Sequence, residues 1–336
     1  LTVVPMLLGV SLTGLDYGWR SPQVVGLLAT SVVALAAFLL VERRAKDPIL
    51  PLAFFRTRIF AASAVAVFLT SVGMFGAILF IPLFVQGVIG KTATGAGNVL
   101  MPMMLGVVAG AAVSGQLISR TGRYRAIGVV GIAVASYGMY LLSRMNVDTG
   151  MGTTIRNMII LGLGLGTTMP LFTIVVQNAF PQRVLGQVTS SVQFFRGVGG
   201  AIGSAVFGSI FVGRFHDTLL TKLPEQVATA VTSGKLSMLS NPESLSSPQA
   251  QAALQQQLAR LGVDPSSMQQ LFQGVKASIV VAFQEVFVLG LALVAVAWVA
   301  TFFLKEIPLR KSNAPEGEPT PVPQRTPRIG AGGNGG

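Results

Sequence analysis

The chain has 336 residues, of which 51% are hydrophobic and only 11% charged, and its mean hydropathy is +0.66. A soluble domain carries roughly 25% charged residues, so these side chains exclude a water-covered globule and specify a membrane protein. Lysine and arginine number 24 against 12 acidic residues, but they lie between apolar runs, where lipid headgroups account for them and nucleic acid does not. The absence of cysteine excludes disulfides, thiolate metal sites and thiol nucleophiles.

The sequence opens at Leu1 within an apolar run, without the basic stretch that begins a signal peptide. The expectation is a fragment whose upstream part is missing. A span needs about 20 mostly apolar residues. After a partial one over 1–12, spans are predicted near 23–42, 60–85, 98–118, 124–143, 157–177, 190–213 and 279–304. Proline and glycine within them, as in "LGLGLGTTMPLF", are tolerated in membrane helices.

The short loops divide the basic residues unequally. One side holds nine: Arg43, Arg44, Lys46, Arg56, Arg58, Arg120, Arg123, Arg125 and Arg183. The other holds four: Arg20, Lys91, Arg144 and Arg156. The richer side is expected to be cytoplasmic, which puts the C-terminus inside. The polar stretch over 215–277 then lies outside, with two short surface helices. Ser247 and Pro248 would start the first and Gly262 stop it, and Asp264 and Pro265 would start the second. The proline- and glycine-rich tail over 312–336 is expected to be disordered.

Between two spans lies "GQLISRTGRYR" (115–125). Gly115 removes a side chain where helices can approach, and Gly122 offers a left-handed stop. Arg120, Arg123 and Arg125 suit a helix C-terminus facing anionic headgroups. The pattern Gly115-x-Leu117-x-x-Arg120-x-Gly122-Arg123 resembles the signature loop of the major facilitator superfamily, which lies between the second and third helices of each half. Ser119 stands where that family has an aspartate, as in a degenerate C-terminal copy. "GWRSP" (18–22), "FRTRIF" (55–60), "IPLFVQ" (81–86), "AGNVLMP" (96–102) and "FFRGVGGAIG" (194–203) resemble pieces of its 14-helix drug/proton antiporter branch, in the same order.

The resemblance implies an all-α polytopic fold: a C-terminal six-helix bundle over 47–311 with about one and a half connecting helices over 1–46. It implies two inverted three-helix repeats, and a first six-helix half absent from this chain. The expected function is export of hydrophobic or cationic small molecules in exchange for protons, in a bacterial plasma membrane. The energy source would be the proton gradient, with no cofactor. The implied partners are the bilayer, the substrates and the first half, with no nucleic acid.

Arg196 lies inside a span and either faces protein and water or snorkels. Met74, Phe75, Phe80, Gln86, Gln177, Asn178, Gln193 and Arg196 are the candidate cavity-lining residues, and Met101, Met103 and Met104 add a soft apolar surface. Gln116 joins the glutamines and Asn178 as a candidate for bonding between helices. Gly199, Gly203 and Gly208 are expected to pack against a neighbouring helix. Glu285 is read as interfacial, near the outer end of the last span. His216 has no metal partners in view, and "GLGLG" (162–166) follows no strand, which excludes a dinucleotide loop. Two rivals stay open. A membrane-embedded enzyme needs a carboxylate pair or a nucleophile with its base, and the spans offer neither. A non-transporting scaffold is the other, and some 200 further residues with six spans upstream would argue against it.

Overall fold

The computed structural model describes residues 3–13, 21–45, 48, 50–222, 256, 265–304 and 306–307. The described residues form eight α-helices and no strand. They are α1 (Val3–Thr13), α2 (Pro22–Arg44), α3 (Arg58–Gly87), α4 (Ala93–Thr121), α5 (Tyr124–Ser143), α6 (Met151–Ala179), α7 (Leu185–Lys222) and α8 (Pro265–Phe302). Short 3-10 turns, Leu52–Arg56 and Gln182–Val184, lead into α3 and α7. Seven helices, α2 to α8, are long and apolar enough to cross a membrane.

Local chemistry sets several ends. Ser21 accepts a hydrogen bond from the Val24 N–H with Pro22 in the first turn, and Thr92 does the same for Gly95. At the other end of α4, Gly122 takes φ +69° and its N–H donates to the Ile118 carbonyl at 2.9 Å. A side chain is strained in that left-handed region, so glycine lets the chain leave α4 and start α5 two residues later. Successive helices therefore run antiparallel. The ends bearing Arg43, Arg44, Arg56, Arg58, Arg120, Arg123, Arg125 and Arg183 fall on one side of the bundle, here the basic end.

The helix contacts come in matched pairs. α4 packs on α6 as α7 packs on α3, α5 packs on α6 as α8 packs on α3, and α5 meets α8. Exchanging α3–α5 with α6–α8 thus maps each of these pairs onto its counterpart. With three helices per unit, the second begins on the opposite side from the first, which makes the repeats inverted. α1 rests on α7 and α2, whereas α2 is largely uncovered. The core gathers Phe60, Phe84, Phe172, Phe207, Phe211, Phe283 and Phe287, all essentially buried.

Two expectations are corrected here. The span predicted to stop at 213 continues helically to Lys222, and Pro265 opens the final long helix, not a separate short one. Each of α7 and α8 has 38 residues, about 57 Å of helix, against about 30 Å of hydrocarbon. The reason is a buried stripe at four-residue spacing. Phe211, Phe215 and Leu219 continue along α7, and Leu271, Val275 and Ile279 along α8. The surface helix predicted from Ser247, and the tail over 312–336, lie outside the described residues (Gln256 alone, described as helical, excepted).

Candidate substrate surface and the glycine seams

α6 is the keystone of the first seam. A Cβ on Gly162 would fall on the Met103 carbonyl oxygen, and one on Gly166 on the Val107 oxygen, both in α4. Gly164, between them, faces α5, where a Cβ would meet the Ala135 backbone. "GLGLG" is therefore a double seam, with alternate glycines turned to two helices. α4 answers with Gly106 and Gly110 against Ile159 and Leu163, and α5 with Gly138 against Leu161. Only hydrogen at these positions permits the approach.

The second seam joins α7 to α3. A Cβ on Gly199 would lie 2.5 Å from the Phe68 carbonyl oxygen, and one on Gly203 2.8 Å from the Val72 Cα. The Phe75 ring covers Gly200. Gly208 differs: nothing stands within 4 Å of its Cβ position, so it makes no such contact here. The same correction applies to Gly115. Its Cβ position is also open, because Gly115 lies off the helix face that carries Gly106 and Gly110, while Ser114 and Ile118 keep that face buried.

Arg196 shares the α7 face that carries Val192, Gly199 and Gly203 towards α3, by its spacing of three, four and seven residues. It stands eleven residues past the helix start, about 16 Å along the axis. Its Nη1 donates to Gln193 Oε1 at 2.6 Å, while its Nη2 is buried without a hydrogen-bond partner. A guanidinium held at that depth with a spare donor is the strongest functional candidate on α7.

The other sequence candidates separate. Phe80 is 8% exposed and its ring sits 4.9 Å from that of Phe211, so it packs in the core between α3 and α7. Met103 is likewise wholly buried, against α6. Met74 packs partly buried against the core, and Phe75 belongs to the second seam. Gln86 bonds back to the Pro82 carbonyl of its own helix. Gln177 donates to Thr189 Oγ1 at 3.1 Å, tying α6 to α7, and Asn178 donates to the Ile307 carbonyl at 3.2 Å. Gln177 thus bonds one helix to another, and Asn178 ties the end of α6 to the chain after α8, both at the basic end. The Ile307 N–H in turn donates to the Tyr124 hydroxyl, so the chain after α8 is fastened across the basic end. What α4 does expose is a stripe of Met101, Met104, Leu105 and Val108.

Glu285 is not solitary. Its Oε2 lies 2.6 Å from the Arg214 Nε, joining α8 to α7, with both side chains about half exposed. Arg214 fell outside the predicted span, and the sequence offered no signal for the pair. Exposure on both sides limits such a pair to about 1 kcal/mol or less. His216 has no companions to make a metal site among the described residues.

Residues 2–204 match the model of the Major Facilitator Superfamily. The chain belongs to that superfamily. It is 35% identical over 323 residues to a multidrug transporter protein of Bacillus subtilis, covering 93% of this chain and 58% of that protein. It is 32% identical over 325 residues to a tetracycline resistance determinant of Streptomyces rimosus, covering 95% of this chain and 92% of the relative. A tetracenomycin C resistance and export protein of Streptomyces glaucescens is 34% identical over 209 residues, covering 62% of this chain and 39% of the relative. The chain spans 58% of the Bacillus protein and 41% of an uncharacterised Mycobacterium tuberculosis transporter of this type. The drug-efflux branch of that superfamily and the all-α polytopic fold follow.

Proposed function

We propose that the chain is the second half of a proton-driven exporter of hydrophobic or cationic small molecules in a bacterial plasma membrane, with its basic end and C-terminus cytoplasmic. The similarity to the Bacillus multidrug transporter across 93% of the chain carries the reading. The exposed apolar stripe of α4 supports it, because a soft methionine surface accommodates varied greasy ligands. So does Arg196, a guanidinium within a span whose buried Nη2 has no hydrogen-bond partner. Substrate would occupy the space between two bundles near the bilayer midplane, reached alternately from each side.

Co-expression with a six-helix first half from a drug-exporting relative is expected to restore dye efflux driven by a pH gradient. Arg196→Ala is expected to reduce that efflux at least about tenfold, as loss of a charged hydrogen bond worth roughly 1.5–3 kcal/mol would do. Efflux unaffected by collapse of the pH gradient would reject proton coupling. No efflux despite a stably assembled pair would favour the scaffold alternative.

Orientation has its own test. Single cysteines at Thr121 and Lys91, both exposed and introduced into a chain with no native cysteine, are expected to label from opposite sides of intact cells. Position 91 should react with an impermeant maleimide and position 121 only after permeabilisation. Labelling of both from one side would overturn the topology.

A further inference from the structure

The first seam leaves a gap as well as a contact. α4 and α5 both press on α6 through glycine, but hardly on each other. Between them runs a crevice of about 460 Å³, floored by Leu163, Gly164 and Thr167 of α6. Its volume falls within the roughly 300–1,000 Å³ of a ligand pocket. The Ser114 and Thr167 hydroxyls that reach it are already spent on carbonyls of their own helices. The walls therefore offer hydrocarbon and no free hydrogen bond from those groups, which suits an alkyl chain.

The mouth is of the opposite character. On α4 the lining residues Gly110, Val113, Ser114 and Leu117 form one helical stripe, and Arg120 and Thr121 are its next members. On α5 the stripe Ala126, Ile127, Val130, Gly131 and Val134 leads back to Arg123, which caps the helix. Both stripes thus run from an apolar slot to an exposed arginine at the basic end. Neither arginine has an ion-pair partner among the described residues, and Ser119, beside Arg120 in sequence, carries no charge to neutralise them. The turn at Gly122 places one arginine at the end of α4 and the other at the start of α5.

We propose that this crevice binds an anionic phospholipid, with one acyl chain between α4 and α5 and its phosphate held by Arg120 and Arg123. An alkyl chain with an anionic end matches both halves of the site, and basic pockets between membrane helices select acidic headgroups. The proposal does not depend on the transport reading.

The test uses the full chain, purified and stripped of lipid in detergent. It is offered equal amounts of dioleoyl phosphatidylglycerol and dioleoyl phosphatidylcholine, and bound lipid is counted by native mass spectrometry. Phosphatidylglycerol is expected to be retained in excess, by about fivefold for each arginine engaged. Arg120→Gln with Arg123→Gln should bring the ratio near unity while total lipid stays similar. Arg183→Gln, at the same end but off the crevice, should leave the ratio unchanged. Val130→Trp fills the slot from a residue already 63% exposed and should reduce retention of both lipids. Glycerol 3-phosphate, the headgroup without chains, should not displace bound lipid. Equal retention of the two lipids by the unmodified chain would overturn the proposal and leave the crevice to an uncharged occupant or an adjoining helix. Displacement by glycerol 3-phosphate, or a preference that survives the double variant, would overturn it as well.

Discussion

Gly110→Leu and Gly164→Leu are expected to abolish recovery of folded protein from detergent, whereas Gly208→Leu should be recovered like the unmodified chain. The first two place a side chain on the Leu163 carbonyl of α6 and on the Ala135 backbone of α5. Backbone cannot swing aside as a flexible side chain can, so helices must separate. Overpacking costs about 1–3 kcal/mol even where neighbours are side chains, and here the contacts of a whole helix pair are lost with it. Gly208 has open space at its Cβ position and serves as the matched control in a helix of the same bundle. Gly203→Leu, against the Val72 Cα, should behave like the first two and weaken the α3–α7 seam. Monodisperse yield and melting temperature in one detergent decide it. Equal behaviour of all four variants would mean that the seams do not limit stability.

The purified chain alone, in liposomes, is expected to show no dye transport when a pH gradient is imposed. Coupling requires a membrane-embedded group that gains and loses a proton, usually a carboxylate or histidine. The described spans offer little of that kind. Glu42 is at the basic end of α2 and accepts from the Leu50 N–H. Glu285 is half exposed and already held by Arg214. His216 and Asp217 stand beyond the hydrophobic stretch of α7. Alternating access also needs a second bundle to rock against, and α3 to α8 form one. Robust uptake by this chain alone, lost in Glu285→Gln, would assign the proton to Glu285 and refute the half-transporter reading.

The spans were legible because hydropathy needs no partner. About twenty apolar residues commit a segment to the bilayer wherever its neighbours stand, and each of the seven full predicted spans corresponds to one of the helices α2 to α8. Local signals marked ends as well: Ser21 with Pro22 begins α2, and Gly122 closes α4. The basic turn, read as a degenerate signature loop, lies between the second and third helices of the bundle.

Facing was not legible. An apolar stretch says that lipid or protein will cover a side chain, but not which, so Phe80 and Met101 looked alike in sequence. One is core against Phe211, and the other is 63% exposed. The lengths of α7 and α8 escaped for a related reason. A hydropathy window averages all faces of a helix, and Arg214, His216 and Asp217 masked the buried stripe through Phe215 and Leu219. The glycines of 162–166 show the division most sharply. Their sequence specified an apolar membrane helix and excluded a dinucleotide loop. Only tertiary structure assigned Gly162 and Gly166 to α4 and Gly164 to α5, because a glycine's partner is set by backbones that approach from elsewhere in the chain. The crevice between α4 and α5 is the geometric remainder of that assignment, and no single helix encodes it.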